Sequence, residues 1–186
     1  MKNVTQLLLF FCITLHGAAQ GVFSNQTSTA LQQVIADFPN HFRNIKGDRI
    51  TEYAVGADYQ SKVQIPGAIA CVISEDGVKK DVFAWKSELY QTTDFETASE
   101  KYKELYNQIH NTIIKVQGEK PVILNGKYEI PDNDKKSTSI AFQVLPATSH
   151  MRKLKVELIL SQESSSWKIS LLVYEQDGQT DLVAEQ

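Results

Sequence analysis

The chain has 186 residues, enough for one domain with a real apolar core and no need of cross-links. With 42% hydrophobic and 22% charged residues, 9 Gly and 5 Pro, it is neither collagen-like, low-complexity nor wholly disordered. A net charge of -3, from 19 basic against 22 acidic residues, argues against a nucleic-acid binder, and 2 cysteines exclude a disulfide-rich scaffold.

Lys2 is the only charge before Asp37, and Leu7–Leu15 (LLLFFCITL) is almost wholly apolar. His16-Gly17-Ala18-Ala19-Gln20 follows, with Gly17 and Ala19 as the small residues before a cut between Ala19 and Gln20. A positive end, a short apolar stretch and small residues predict a signal peptide over residues 1–19. The stretch is less than half the ~20 residues that a spanning helix needs. Cys12 lies inside it rather than at the cut, so no lipid anchor is expected. The mature chain should be secreted or periplasmic, with no membrane span after cleavage. The leader's style fits a bacterial envelope. Removing it leaves Cys71 alone, in the apolar run Ala68–Ile73, where it reads as a small buried hydrophobe.

Residues 20–29 are small and polar and read as a flexible lead-in. Residues 30–176 should form a single domain. Leu31, Val34, Ile35, Phe38 and Phe42 share one helical face, with Ser28 or Thr29 as the cap and a break at Pro39. Gly47 should close this segment. From Ile50 to Leu89 the chain breaks into short runs: alternation over Lys62–Ile65, a turn at Pro66-Gly67, a central strand over Ala68–Ile73, a turn at Glu75-Asp76-Gly77 and a return strand over Asp81–Leu89.

Thr93 and Glu96 read as a capping box. Ala98, Tyr102, Leu105, Tyr106, Ile109, Ile113 and Val116 follow at spacings of three and four, with Glu100, Lys101, Lys103 and Glu104 between them. This predicts a helix of about six turns, ended by Gly118 and Pro121. Asp132-Asn133-Asp134 begins like a calcium loop but lacks its Gly and closing Glu, so it reads as a turn between strands. Ile140, Phe142 and Val144 alternate, as do Leu154–Leu160 and Trp167–Val173, with Ser161–Ser165 as a loop. Lys153, Lys155 and Glu157 stand on the opposite, solvated face. Residues 177–186 should form a frayed acidic tail.

The expected fold class is therefore α+β: an antiparallel sheet of several strands with two main helices packed on one face, in the order helix–strands–helix–strands. The order suggests a duplicated unit, although no residue-level repeat accompanies it.

No G-x-S-x-G, G-x-x-x-x-G-K-[ST], G-x-G-x-x-G or H-E-x-x-H motif is present. After cleavage only His41, His110 and His150 remain, in no local motif. No catalytic residue, metal ligand or cofactor is assigned. The leading expectation is a non-catalytic exported binding or scaffold domain of the bacterial cell envelope, with an unknown protein or an apolar small molecule as its partner and no nucleic acid. The expected contact surface is either the exposed sheet face or the gap between the second helix and the sheet. Trp85, Tyr102, Tyr106 and Trp167 are the candidate ligand-binding residues of that gap. The alternatives are a hydrolase with a non-local site acting on envelope or extracellular polymers, and a subunit of a larger envelope assembly.

Overall fold

A computed structural model describes residues 20–77, 82–116, 118, 120–147 and 151–176. The expected leader, His150 and the acidic tail lie outside the described residues.

The first helix, α1, spans Gln20–Asp37 and runs into a single 3-10 turn, Phe38–Asn40, at Pro39. Its apolar stripe is as expected: Leu31, Val34, Ile35, Phe38 and Phe42 are all buried. The start differs. Residues 20–29, expected as a lead-in, are helical, so Ser28 and Thr29 sit inside the helix and cap nothing. Small polar residues weaken a helix but do not forbid it, and Thr27 is buried while Ser28 Oγ lies 3.5 Å from Thr112 Oγ1.

Four strands follow as a meander: β1 (Lys46–Glu52), β2 (Ala57–Ser61), β3 (Ala70–Glu75) and β4 (Phe83–Thr92). Gly47 opens β1 rather than closing the helical segment. Lys62–Ile65, which alternates as a strand would, is a connection that buries Val63 and Ile65.

The second helix, α2, spans Phe95–Ile109. Its cap is Asp94, one residue after the expected Thr93: Asp94 Oδ1 accepts from Thr97 N at 2.7 Å. The helix is also shorter than its spacing suggests. Asn111 adopts φ 65, its N–H donates to Leu124 O at 2.8 Å, and the chain turns into β5 (Ile113–Ile114). Two β-branched isoleucines favour a pleated strand over another helical turn. Spacings of three and four through Ile113 and Val116 therefore imitate a helix stripe that the chain does not follow.

β6 (Val122–Asn125), β7 (Ser137–Leu145), β8 (Leu154–Glu163) and β9 (Ser166–Glu175) complete a nine-stranded antiparallel sheet in the order β1-β2-β3-β4-β9-β8-β7-β6-β5. The alternations in β7 and β8 bury one face each, as expected, and β9 follows them except that Ser170 of its other face is buried too. The expected loop Ser161–Ser165 is tighter, with only Ser164-Ser165 between β8 and β9 and Ser164 at φ 56. The turn at Asp132 holds too: Asp134 N donates to Asp132 Oδ1 at 3.0 Å. Each helix precedes one meander, and the last strands of the two meanders, β4 and β9, pair at the centre of the sheet. One cluster joins the buried residues of α1 and α2 to the inward side chains of the strands. The molecule is α+β, a nine-stranded antiparallel sheet and two helices in the order helix–strands–helix–strands.

Candidate ligand groove

The four aromatic residues expected to line a helix–sheet gap all have packing partners inside the protein. Trp85 is fully buried on β4, and its Nε1 donates to Ser61 Oγ at 3.0 Å. Trp167 is buried on β9 with its ring 4.9 Å from that of Phe95. Tyr102 is fully buried, and its hydroxyl donates to Leu158 O at 3.2 Å. Tyr106 is half-buried, donates to Gly126 O at 3.0 Å, and stacks on His110 with ring centres 5.0 Å apart. The gap beneath the middle of α2 is thus filled by Tyr102 and its neighbours. None of the four lines either concavity described below.

Burial of the Tyr102 hydroxyl, helped by the negative charge of Glu129, pushes its pKa well above the ordinary tyrosine value. Tyr174 is pushed up to about 12 by burial and by Glu157. An unfolded tyrosine ionises near ~10, so the unfolded state loses these protons first as pH rises. Stability from these groups is complete below about pH 10 and is lost as pH climbs toward their folded values. Tyr102→Phe is expected to flatten this alkaline decline while costing about 1 kcal/mol at neutral pH through the lost hydrogen bond. Urea unfolding of both chains from pH 8 to pH 11.5 measures the difference.

His110 caps the C-terminus of α2, with its N–H on Tyr106 O at 2.8 Å. Its buried Nδ1 has no hydrogen-bond partner among the described residues. An unpaired buried polar atom is a cost that an apolar ring of the same shape avoids. His110→Phe is expected to leave stability unchanged or to raise it by up to about 1 kcal/mol, read by thermal melting. A clear loss of stability would contradict this expectation.

One concavity lies at the flank of α2. It measures about 280 Å³. The turn Pro66-Gly67, with Gly67 at φ +82, swings the chain so that Ile65 and Ala68 face Leu89 of β4 and Leu105 of α2. Ala68 N donates to Ile65 O at 3.0 Å, and Ile69 N donates to Glu88 O at 2.7 Å, which ties the turn to the sheet. Thr27 of α1 also lines the concavity. Lys101, Glu104 and Gln108 form the rim along α2. They are linked: Lys101 Nζ lies 2.9 Å from Glu104 Oε2, and Gln108 Nε2 donates to Glu104 Oε1 at 3.0 Å.

A second concavity, about 420 Å³, opens on the other sheet face between Glu75, Glu157, Leu172, Tyr174 and Glu175. Its carboxylates are engaged: Tyr59 donates to Glu75, Tyr174 donates to Glu157 at 3.1 Å, and Lys153 pairs with Glu175 at 3.0 Å. On this face Lys155 and Glu157 are half-buried rather than freely solvated. Cys71 is a buried free thiol with Sγ 3.1 Å from Ser87 Oγ.

Leu105 and the Pro66-Gly67 turn are visible in the sequence as a stripe residue and a turn. Their meeting with Leu89 and Thr27 is not, because it depends on sheet order and on α1 starting early. Among the described residues, no cluster of His, Cys, Asp and Glu is placed to hold a metal ion, and no helix is long and apolar enough to cross a membrane. Comparisons of the chain with protein-family models, curated proteins and solved structures find no match.

Proposed function

We propose that this chain is an exported, non-catalytic binding domain of the bacterial cell envelope, and that it holds a small apolar molecule in the groove between α1, α2 and the Pro66-Gly67 turn. The observation that carries the reading is the groove's composition: an aliphatic floor of Ile65, Ala68, Leu89 and Leu105 beneath a single polar rim. Concave, mostly apolar walls with a few convergent polar groups are the usual make-up of a small-molecule site. The rim's polar groups bond to one another along one helix and include no nucleophile beside a base, which favours binding over turnover. Export rests on the leader pattern of Lys2, Leu7–Leu15, Gly17 and Ala19.

A second reading, a subunit of a larger envelope assembly, draws on Ile113, Ile123 and Leu145. These are exposed and stand directly opposite one another across β5, β6 and β7. Fractionation of the producing cells, with mass analysis of the purified chain, separates the readings. The expected result is an exported chain beginning at Gln20, monomeric, with no turnover of generic ester, phosphate, glycoside or peptide substrates. Turnover abolished by one His or Asp replacement at unchanged Tm would overturn the binding reading. Stable co-purification of a second protein would favour the assembly.

A further inference from the structure

We infer that the mature chain begins with a pyroglutamate, formed by cyclisation of Gln20 once the leader is removed. This rests on the export reading, which places the cut between Ala19 and Gln20. A glutamine with a free α-amino group can close on itself. The amine attacks the residue's own amide carbon, the bond from that carbon to the amide nitrogen breaks, and ammonia leaves with a proton from the amine. The product is an uncharged lactam. The step needs no oxidant, metal or second substrate. Neither alanine nor glycine can do this, so a cut one residue earlier or later, exposing Ala19 or Gly21, would leave an ordinary ammonium.

The fold gives a reason for the closed form to be favoured. α1 spans Gln20–Asp37, so the cut makes the new terminus the first residue of a helix. The unpaired N–H groups of a first turn carry about half an elementary positive charge. An ammonium placed there meets a charge of its own sign. The first turn of α1 holds no acidic residue, and no charged residue occurs in the helix before Asp37 at its far end. That end is roughly 25 Å away at the rise of an α-helix. This is about three times the ~8 Å over which charges act at physiological salt. Nothing within α1 therefore compensates an ammonium on Gln20. The uncharged amine is the favoured form there, and only the uncharged amine attacks. Cyclisation then removes the terminal charge permanently. The N–H that it consumes had no partner within the helix to lose.

Intact mass and terminal-peptide sequencing of the wild-type chain and of Gln20→Ala, each recovered from the producing cells after export, test this. The wild type should begin at residue 20 and weigh one ammonia less than its sequence from that residue. It should also resist an aminopeptidase that shortens Gln20→Ala. The Tm of Gln20→Ala, which keeps its ammonium, should lie about 1–4 °C below wild type at pH 6.5. That gap should close at about pH 9.5, where an α-amino group is discharged. A wild type that begins at Gln20 and keeps its full mass overturns this inference and leaves export standing. A chain that keeps its leader, or begins at another residue, overturns the export reading and this inference with it. A Tm gap that is absent at pH 6.5, or unchanged at pH 9.5, overturns the part given to the helix.

Discussion

Trp85→Ala is expected to cost about 3–5 kcal/mol of folding stability, a large share of the ~5–15 kcal/mol that a domain commonly has. Trp85 is fully buried on β4 beside the centre of the sheet, directly opposite Ile73 on β3 and Val173 on β9. The truncation removes the largest fully buried side chain among the described residues and leaves a cavity that three strands cannot close together. It also removes the donor to Ser61 Oγ. That oxygen keeps its bonds to Val63 O at 2.7 Å and Val63 N at 3.1 Å, so this second loss is small. Trp85→Phe keeps most of the buried ring and should cost about 1–2 kcal/mol. Urea unfolding of the three chains gives the values. A Trp85→Ala chain within 1 kcal/mol of wild type would mean that β4 is not a core strand.

Asp37→Ala is expected to cost about 2–4 kcal/mol, from one carboxylate at the end of α1. Asp37 is buried, and its oxygens accept from Asn40 Nδ2 at 3.0 Å, Asn44 N at 3.0 Å, Asn44 Nδ2 at 2.6 Å and Ile45 N at 3.3 Å. These bonds hold a turn in which His41 and Phe42 both adopt left-handed backbone, at φ 54 and φ 56. Non-glycine residues in that region cost of order 1–3 kcal/mol each and persist only where the surroundings fix them. Phe42 supplies the other anchor, 1% exposed in the core. Alanine leaves four partly buried donors without their acceptor and releases the turn. Asp37→Asn keeps one acceptor oxygen and should lose about half as much. Thermal melting ranks the two, and equal stability of Asp37→Ala and wild type would refute the role given to this carboxylate.

The sequence displays the elements whose packing is local. The stripe of Leu31, Val34, Ile35, Phe38 and Phe42 and the alternations of β7 and β8 are direct prints of one buried face each, and β9 departs from this at Ser170. What it hides depends on competition between equally good local patterns. Ile113 and Val116 satisfy helical spacing and strand pairing alike, and hydrogen bonding of Asn111 and Thr112 to Leu124 decides for the strand. β1 is exposed along most of its length and therefore carries no periodic signal. Trp85, Tyr102, Tyr106 and Trp167 show why aromatic residues are ambiguous in sequence. The same pattern serves a core or a pocket, and here the Trp85 indole and the Tyr102 and Tyr106 hydroxyls find partners within the protein while the Trp167 ring packs on Phe95. The groove is assembled from α1, the Pro66-Gly67 turn, β4 and α2, positions up to about eighty residues apart, so only sheet order reveals it.

Native mass spectrometry of the mature wild-type chain and of Ala68→Phe, both purified gently from the producing host, tests the groove most directly. Phenylalanine at position 68 adds a ring where the floor has a methyl group. The expected result is a small-molecule adduct on wild type and a bare Ala68→Phe chain whose Tm stays within about 4 °C. The same adduct on both chains, or a bare wild-type chain, would contradict the proposal.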